Sequence, residues 1–267
     1  MVCSALGSDL RSLPRWFNRL VLKRCDGVVA AGCEMERLAL RLGLEGVRTI
    51  WLPVDECRLF SEGQESVLRQ ELRLGRATPI VTFLGRLEPF KDPLTFVNAI
   101  PAVLENCSHC RFVVVGDGPL LGSLKLRARE LGVMHSVTFV GWRSDVHRYL
   151  HVSDVAVGLS PIENVWSMTL VEAHFAGVPC IVTEVGMSRN LFAHGENCYM
   201  IPARRPDALA EAILTLLGDA ALRGKLAQGA RTLLSRHGWY THQIADSVAR
   251  LYEDVLRGRK RSSSLEV

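Results

Sequence analysis

No stretch of this 267-residue sequence stays apolar for the ~20 residues that a membrane-spanning helix needs. Its N-terminus also lacks the basic region followed by an apolar core that marks a secretory signal. A cytoplasmic protein is expected on both counts. Neither sign of charge dominates. The formal net charge of +4 leaves no dense basic stripe, which argues against a nucleic-acid partner. So mild an excess suits an anionic small molecule, or loose contact with acidic lipid headgroups. The eight cysteines lack a zinc-site arrangement: only Cys107 and Cys110 form a CxxC, with His109 between them and no second pair. A metal or redox role there competes with a plain helix end, and the helix end is expected. Most other cysteines sit inside apolar runs such as "GVPCIVT", where they act as small hydrophobes.

What is present is a packed core: 48% hydrophobic and 22% charged residues. Short β-branched runs end in glycine and alternate with segments of helical period. "PIVTFLG" ends at Gly85, "RFVVVGDG" at Gly116 and Gly118, and "SVTFVG" at Gly141, followed by "DVAVGLS" and "PCIVT". These runs are apolar throughout instead of alternating, which means burial on both faces and a parallel sheet between helix layers. Asp92-Pro93 reads as N-cap and N1 of a helix with Leu94, Val97, Ile100 and Leu104 on one face, kinked or shortened at Pro101. Leu121, Leu124, Ala128 and Leu131 repeat the period. The predicted fold is α/β, a doubly wound parallel sheet. After residue 200 the chain turns helical from Pro206-Asp207 onward. Ile244, Val248, Leu251 and Val255 mark the last helix.

The first sixty residues differ. "GSDL", a basic helix "RSLPRWFNRLVLKR", a strand "DGVVAAG", a helix "EMERLALRLG" and a strand "VRTIWLP" are too few to cover both faces of a sheet. They read as part of a second α/β domain, 1–60 with its linker, ahead of a domain at 61–256 and a disordered basic tail at 257–267. Arg11, Arg15, Arg19 and Lys23 follow one face of the basic helix around Trp16 and Phe17. A solvated face is expected there, with an interfacial membrane helix as the alternative.

Ligands of open α/β sheets sit beyond the carboxyl ends of the strands, where three features gather. In "GRLEPFKD", Arg86 and Lys91 flank a helix start and can clamp a diphosphate. Equally, they can be surface cations bridging Glu88 and Asp92. "VVVGDGPLLG" is not GxGxxG; it allows either close backbone approach to a nucleotide or a plain tight turn. In "SPIENVWSMTLVEAHFAGVPCIVT", Thr169 and Glu172 have the spacing of a capping box. The pre-helix carboxylate Glu163 has no local backbone partner in sight.

From Val81 to about Leu256 the sequence resembles the nucleotide-sugar-binding half of retaining glycosyltransferases of family 4, which have the GT-B fold. The segments "FLGRLEPFKDPLTFVNA", "FVVVGDGPLLGSLKLRARELGVMHSVTFVGW", "LSPIENVWSMTLVEAHFAGVPCIVTEVG" and "HGENCYMIPARRPDALAEAI" appear in the family's order. "GSDL" and "VVAAGCEMERLALRLG" resemble the end of its acceptor domain. The resemblance implies that Arg86 and Lys91 neutralise the diphosphate leaving group in place of a metal ion, so that no metal or other cofactor is used. It implies that Glu172 holds the ribose hydroxyls and Glu163 the donor sugar. Backbone near Val165, Trp166 and Ser167 approaches the distal phosphate, and Gly85, Gly116, Gly118 and Gly141 line the nucleotide floor. Three departures stand out. One residue more than in the family separates the two glutamates, Leu6 replaces a histidine, and Met187 and Asn190 replace a glycine and a glutamate.

The resemblance thus implies a glycosyltransferase that moves a sugar from UDP or GDP to a lipid-linked or saccharide acceptor with retention. The chain is expected to be N-terminally truncated. Contact with the inner face of a membrane goes with a lipid-linked acceptor. A non-catalytic nucleotide-sugar-binding module or an inactive fragment is the rival reading, and an epimerase on the same fold a third.

Overall fold

The computed structural model describes residues 2–5, 22, 25–30, 32–52, 54, 65–161, 168–185 and 192–257. The chain divides into two compact units, Met1–Val54 with His237–Val267, and Asp55–Arg236.

In the first unit, strands β1 (Val2–Ala5), β2 (Gly27–Ala30) and β3 (Val47–Thr49) pair in parallel in that order, with helix α1 (Cys33–Arg41) between β2 and β3. The chain's last helix, Thr241–Leu256, belongs to this unit. Arg48 pairs with Asp254, and Thr241 Oγ1 donates to the Val54 carbonyl at 3.2 Å. Trp51 and Trp239 meet edge to face at 4.8 Å, both buried. Gly27 lies so close to Leu251 that a Cβ there would stand 3.2 Å from its Cδ1. The sequence pattern runs the larger domain to 256, whereas the compact units part after Arg236. A helix's apolar stripe shows that it is covered, but not by which part of the chain.

The second unit opens with α2 (Glu65–Glu71), β4 (Ile80–Leu84), α3 (Pro93–Asn106), β5 (Arg111–Val115), α4 (Leu121–Glu130) and β6 (Val137–Gly141). It continues with α5 (Val146–His151), β7 (Val155–Gly158), α6 (Met168–Phe175), β8 (Cys180–Thr183), β9 (Tyr199–Ile201), α7 (Pro206–Gly218) and α8 (Ala220–Arg236). Its six strands are all parallel, in the order β6-β5-β4-β7-β8-β9. The apolar runs behave as their composition requires. β4 and β8 are buried at every position, and Val81, Phe83, Phe112, Val114, Val157 and Ile181 share one core with α3, α4 and α7. On the other face α6 touches β7 and β8, and α8 packs on α6. This is the doubly wound α/β sheet. The three-residue, half-exposed β9 and the short β1 carry too little pattern to read as strands.

One local expectation changes. Helix α3 runs through Pro101 to Asn106, and its buried face is Phe96, Val97, Ile100 and Val103. Leu94 is exposed, because it lies on the solvent side of a first turn whose other residues, Pro93, Thr95 and Phe96, are buried. Cys107 is the C-cap of α3 and Cys110 is buried, its thiol pushed up to about 12 by desolvation. The CxxC therefore ends a helix, as expected. Among the described residues no helix is long and apolar enough to cross a membrane. The basic helix lies outside the described residues apart from Leu22.

Candidate functional site

The strand order places a switch point between β4 and β7. From β4 the chain proceeds outward through β5 to β6, and from β7 it proceeds the other way. Connections leaving such a pair diverge to opposite faces and open a crevice at the carboxyl edge. The loop that leaves β4 carries Arg86 and Lys91, and the connection that leaves β7 leads to helix α6 with Glu172.

After β4, the chain turns at Gly85, buries Leu87 and forms one 3-10 turn, Pro89–Lys91. Asp92 then caps α3, its carboxylate accepting from the Thr95 amide at 3.4 Å and the Thr95 hydroxyl at 2.7 Å. Capping occupies Asp92, so it does not pair with Lys91. Arg86 does pair with Glu88, while its side chain stays 72% exposed. Lys91 is half-buried. Desolvation first, and the Arg86 charge second, hold its ammonium below the ordinary lysine value of 10.5, with Glu88 opposing. Both cations lie near the Phe90 ring, Arg86 Cζ at 6.0 Å and Lys91 Nζ at 5.6 Å from its centroid.

After β7, Ser160 ties the two loops together. Its hydroxyl donates to the Phe90 carbonyl at 3.0 Å, its amide donates to Thr183 Oγ1 at 3.0 Å, and that hydroxyl donates back to the Ser160 carbonyl at 2.7 Å. One serine thus joins the Lys91 loop, the β7 exit and β8. The Ser-Pro dipeptide marked a turn in the sequence, but the hydroxyl's role needs partners 23 and 70 residues away. Glu163, Val165, Trp166 and Ser167, with Leu6 and residues 186–190, lie outside the described residues.

Helix α6 begins at Met168, so Thr169 is inside it and is not an N-cap. The expected capping box does not form: Glu172 is a turn further along, and no described residue donates to its carboxylate. Burial alone raises that carboxyl to about 7. Two residues on, His174 is wholly buried, neither ring nitrogen has a partner among the described residues, and desolvation lowers it to about 4. Its ring meets Phe192 edge-on at 5.4 Å. Nothing in the sequence pattern singled out His174.

The four glycines separate into two pairs. Gly116 (φ 141°) and Gly118 (φ 157°) are required by their own loops, since a Cβ would stand 1.9 Å from the Gly85 carbonyl oxygen and 2.6 Å from that of Leu87. Backbone bonds lock this seam: the Gly85 amide to Val115, Gly116 to Gly141 and Leu87 to Asp117. At Gly85 and Gly141, by contrast, a Cβ would meet nothing within 4 Å. Open space lies over the carboxyl edge at those two positions.

Residues 78–219, more than half of the chain, match the family described as glycosyl transferases group 1. The chain belongs to that family. Among its relatives is the Escherichia coli UDP-Gal:alpha-D-GlcNAc-diphosphoundecaprenol alpha-1,3-galactosyltransferase, 28% identical over 69% of this chain and 48% of its own. Another is the Mycobacterium tuberculosis GDP-mannose-dependent alpha-(1-6)-phosphatidylinositol monomannoside mannosyltransferase, 30% identical over 72% of this chain and 50% of its own. This group 1 chain therefore spans about half the length of the curated relatives it matches. The structure of Anabaena Alr3699/HepE in complex with UDP and glucose superposes with a TM-score of 0.80 at 21% identity, covering 94% of this chain and 71% of that one. The fold is that of GT-B glycosyltransferases.

Proposed function

We propose that this chain holds the donor, a UDP- or GDP-sugar, at the β4–β7 switch point, as part of a retaining glycosyltransferase of family 4. One observation carries the proposal. Among the described residues, a half-buried lysine has no carboxylate in contact and a half-buried carboxylate has no donor, and they stand on the two elements that flank that crevice. Each is costly to the folded chain alone, and each is satisfied by one end of a nucleoside diphosphate.

Lys91 and Arg86 receive the diphosphate, aided by the free amides at the start of α6. Glu172 accepts from the ribose hydroxyls and Glu163 from hydroxyls of the sugar. As the bond between the anomeric carbon and the diphosphate oxygen breaks, its electron pair leaves with the phosphate. The acceptor oxygen takes its place on the carbon, and the acceptor's proton leaves for the departing diphosphate. Positive charge placed beside that oxygen lowers the barrier by opposing charge that grows only in the transition state. With two cations in that position, transfer uses no metal and no other cofactor.

The names of the relatives support a nucleotide-sugar donor and a lipid-linked acceptor, since the two described above pair UDP-Gal with a diphosphoundecaprenol and GDP-mannose with a phosphatidylinositol mannoside. With such an acceptor the protein works in the cytoplasm, against the inner face of a membrane. Titration calorimetry with UDP, GDP, ADP and CDP tests the donor site: UDP or GDP binds, and a folded chain that binds neither of these two refutes it.

A further inference from the structure

Resting on the donor site proposed above, we propose that Trp142 is the platform on which the base of the bound nucleotide stacks. This indole is 73% exposed, directly after β6 at the carboxyl edge of the sheet. Among the described residues it has neither a ring partner nor a hydrogen bond. An aromatic ring left in water contributes little to folding, and it offers a bare face to a flat ligand.

The backbone that presents it is held from both sides. Before it, the Gly141 carbonyl accepts from the Gly116 amide at 2.8 Å, within the glycine seam. After it, Arg143 forks onto Asp145 through two bonds of 2.9 Å, and its guanidinium lies 5.6 Å from the ring centroid of buried Tyr149. Arg148 takes the same Asp145 at 3.2 Å and reaches Glu71 on α2 at 2.9 Å. A ring carried on so fixed a frame loses little freedom when a flat ligand settles on it.

Position supplies the second argument. β6 lies two strands from β4, about 10 Å at the usual strand spacing. A ribose bridges that distance when its phosphates sit at the β4 loop. The edge between is open, since a Cβ at Gly85 or Gly141 would meet nothing within 4 Å. Stacking tolerates every base because each has a π-face, so Trp142 adds affinity without choosing between uracil and guanine.

UDP, GDP and inorganic pyrophosphate titrated into the full chain and its W142A, W142Q and W142F variants test this, followed by calorimetry and tryptophan emission. W142A and W142Q are expected to weaken UDP and GDP about tenfold or more and to leave pyrophosphate unchanged, with W142F recovering most of the loss. Nucleotide is also expected to quench wild-type emission, and to quench all three variants less. Unchanged UDP and GDP affinity in folded W142A or W142Q overturns the platform and leaves the donor site standing. So does a loss that extends equally to pyrophosphate. A wild-type chain that binds neither nucleotide refutes the donor site itself, and the platform with it.

Discussion

A Cβ on Gly116 would stand 1.9 Å from the carbonyl oxygen of Gly85. These two residues end neighbouring strands, β4 and β5, and the contact is backbone against backbone, so neither can turn away. The seam sets the height of the loop that carries Arg86 and Lys91. Gly116→Ala adds overpacking to a backbone angle of 141° that L-residues avoid, and should cost about 3 kcal/mol or more. Gly141→Ala meets open space and only the strain of a left-handed φ of 73°, about 1–2 kcal/mol. Urea denaturation of the pair distinguishes them; equal losses would show that the seam is not the cause.

Lys91 and Arg86 are expected to differ in weight. Lys91 is half-buried and, among the described residues, has no carboxylate in contact, whereas Arg86 is largely in solvent and already paired with Glu88. Lys91→Ala should weaken nucleoside-diphosphate binding by about 10–100-fold, as for loss of a charged hydrogen bond. Arg86→Ala should cost less in binding, and its effect should shrink as salt is raised. Isothermal titration at two ionic strengths reads both. Because burial and Arg86 depress the lysine, diphosphate affinity should also begin to fall at a pH below the ordinary lysine range.

Glu172 sets stability against binding. Its carboxyl is raised from 4.5 to about 7 by burial, so between those values the folded chain holds a proton that the unfolded chain has lost. Its contribution to stability therefore falls as pH rises through that window. Glu172→Gln should raise the melting temperature above pH 7 by a few degrees while weakening UDP or GDP binding. Ribose hydroxyls favour the ionised carboxylate, so wild-type affinity should increase as pH rises through about 7. A Gln variant that keeps both the affinity and its pH dependence would remove Glu172 from the site.

His174 should act in the opposite sense. Burial lowers it from 6.5 to about 4, and neither nitrogen has a partner among the described residues. The unfolded chain gains a proton first on acidification, so the histidine's contribution is complete above pH 6.5 and is lost as pH falls toward 4. His174→Leu fills a similar volume without unpaired polar atoms. It should stabilise the protein by about 1–3 kcal/mol and flatten the acid side of its stability profile. Thermal melts across that range check the sign.

If two cations take the place of a metal, sugar transfer by a protein that contains this chain should survive treatment with EDTA. A complete loss of transfer, restored by magnesium or manganese, would show that Arg86 and Lys91 do not suffice.

Much of the fold was legible because it rests on local patterns. The runs "PIVTFLG", "RFVVVG" and "PCIVT" are apolar at every position, and only a strand covered on both faces needs that. Asp92-Pro93 announced the start of α3 through capping chemistry confined to a few residues. Arg86, Lys91 and the four glycines stood out by their place just after the strands, whereas Glu172 was picked out only by the family resemblance, its spacing alone suggesting a capping box. Leu94 and Thr169 misled because which side of a turn is covered, and where a helix begins, depend on the rest of the chain, which periodicity does not report.

By itself, the sequence determined that this chain folds as alternating strands and helices with a parallel sheet inside, since burial period and cap residues are properties of neighbours along the chain. Only the tertiary structure decided that β4 lies beside β7, that Ser160 ties the Phe90 loop to β8, that the last helix belongs to the first unit, and that Glu172 is desolvated. Those are relations between residues tens of positions apart. Desolvation depends on what the remote chain covers, and no local pattern carries that information.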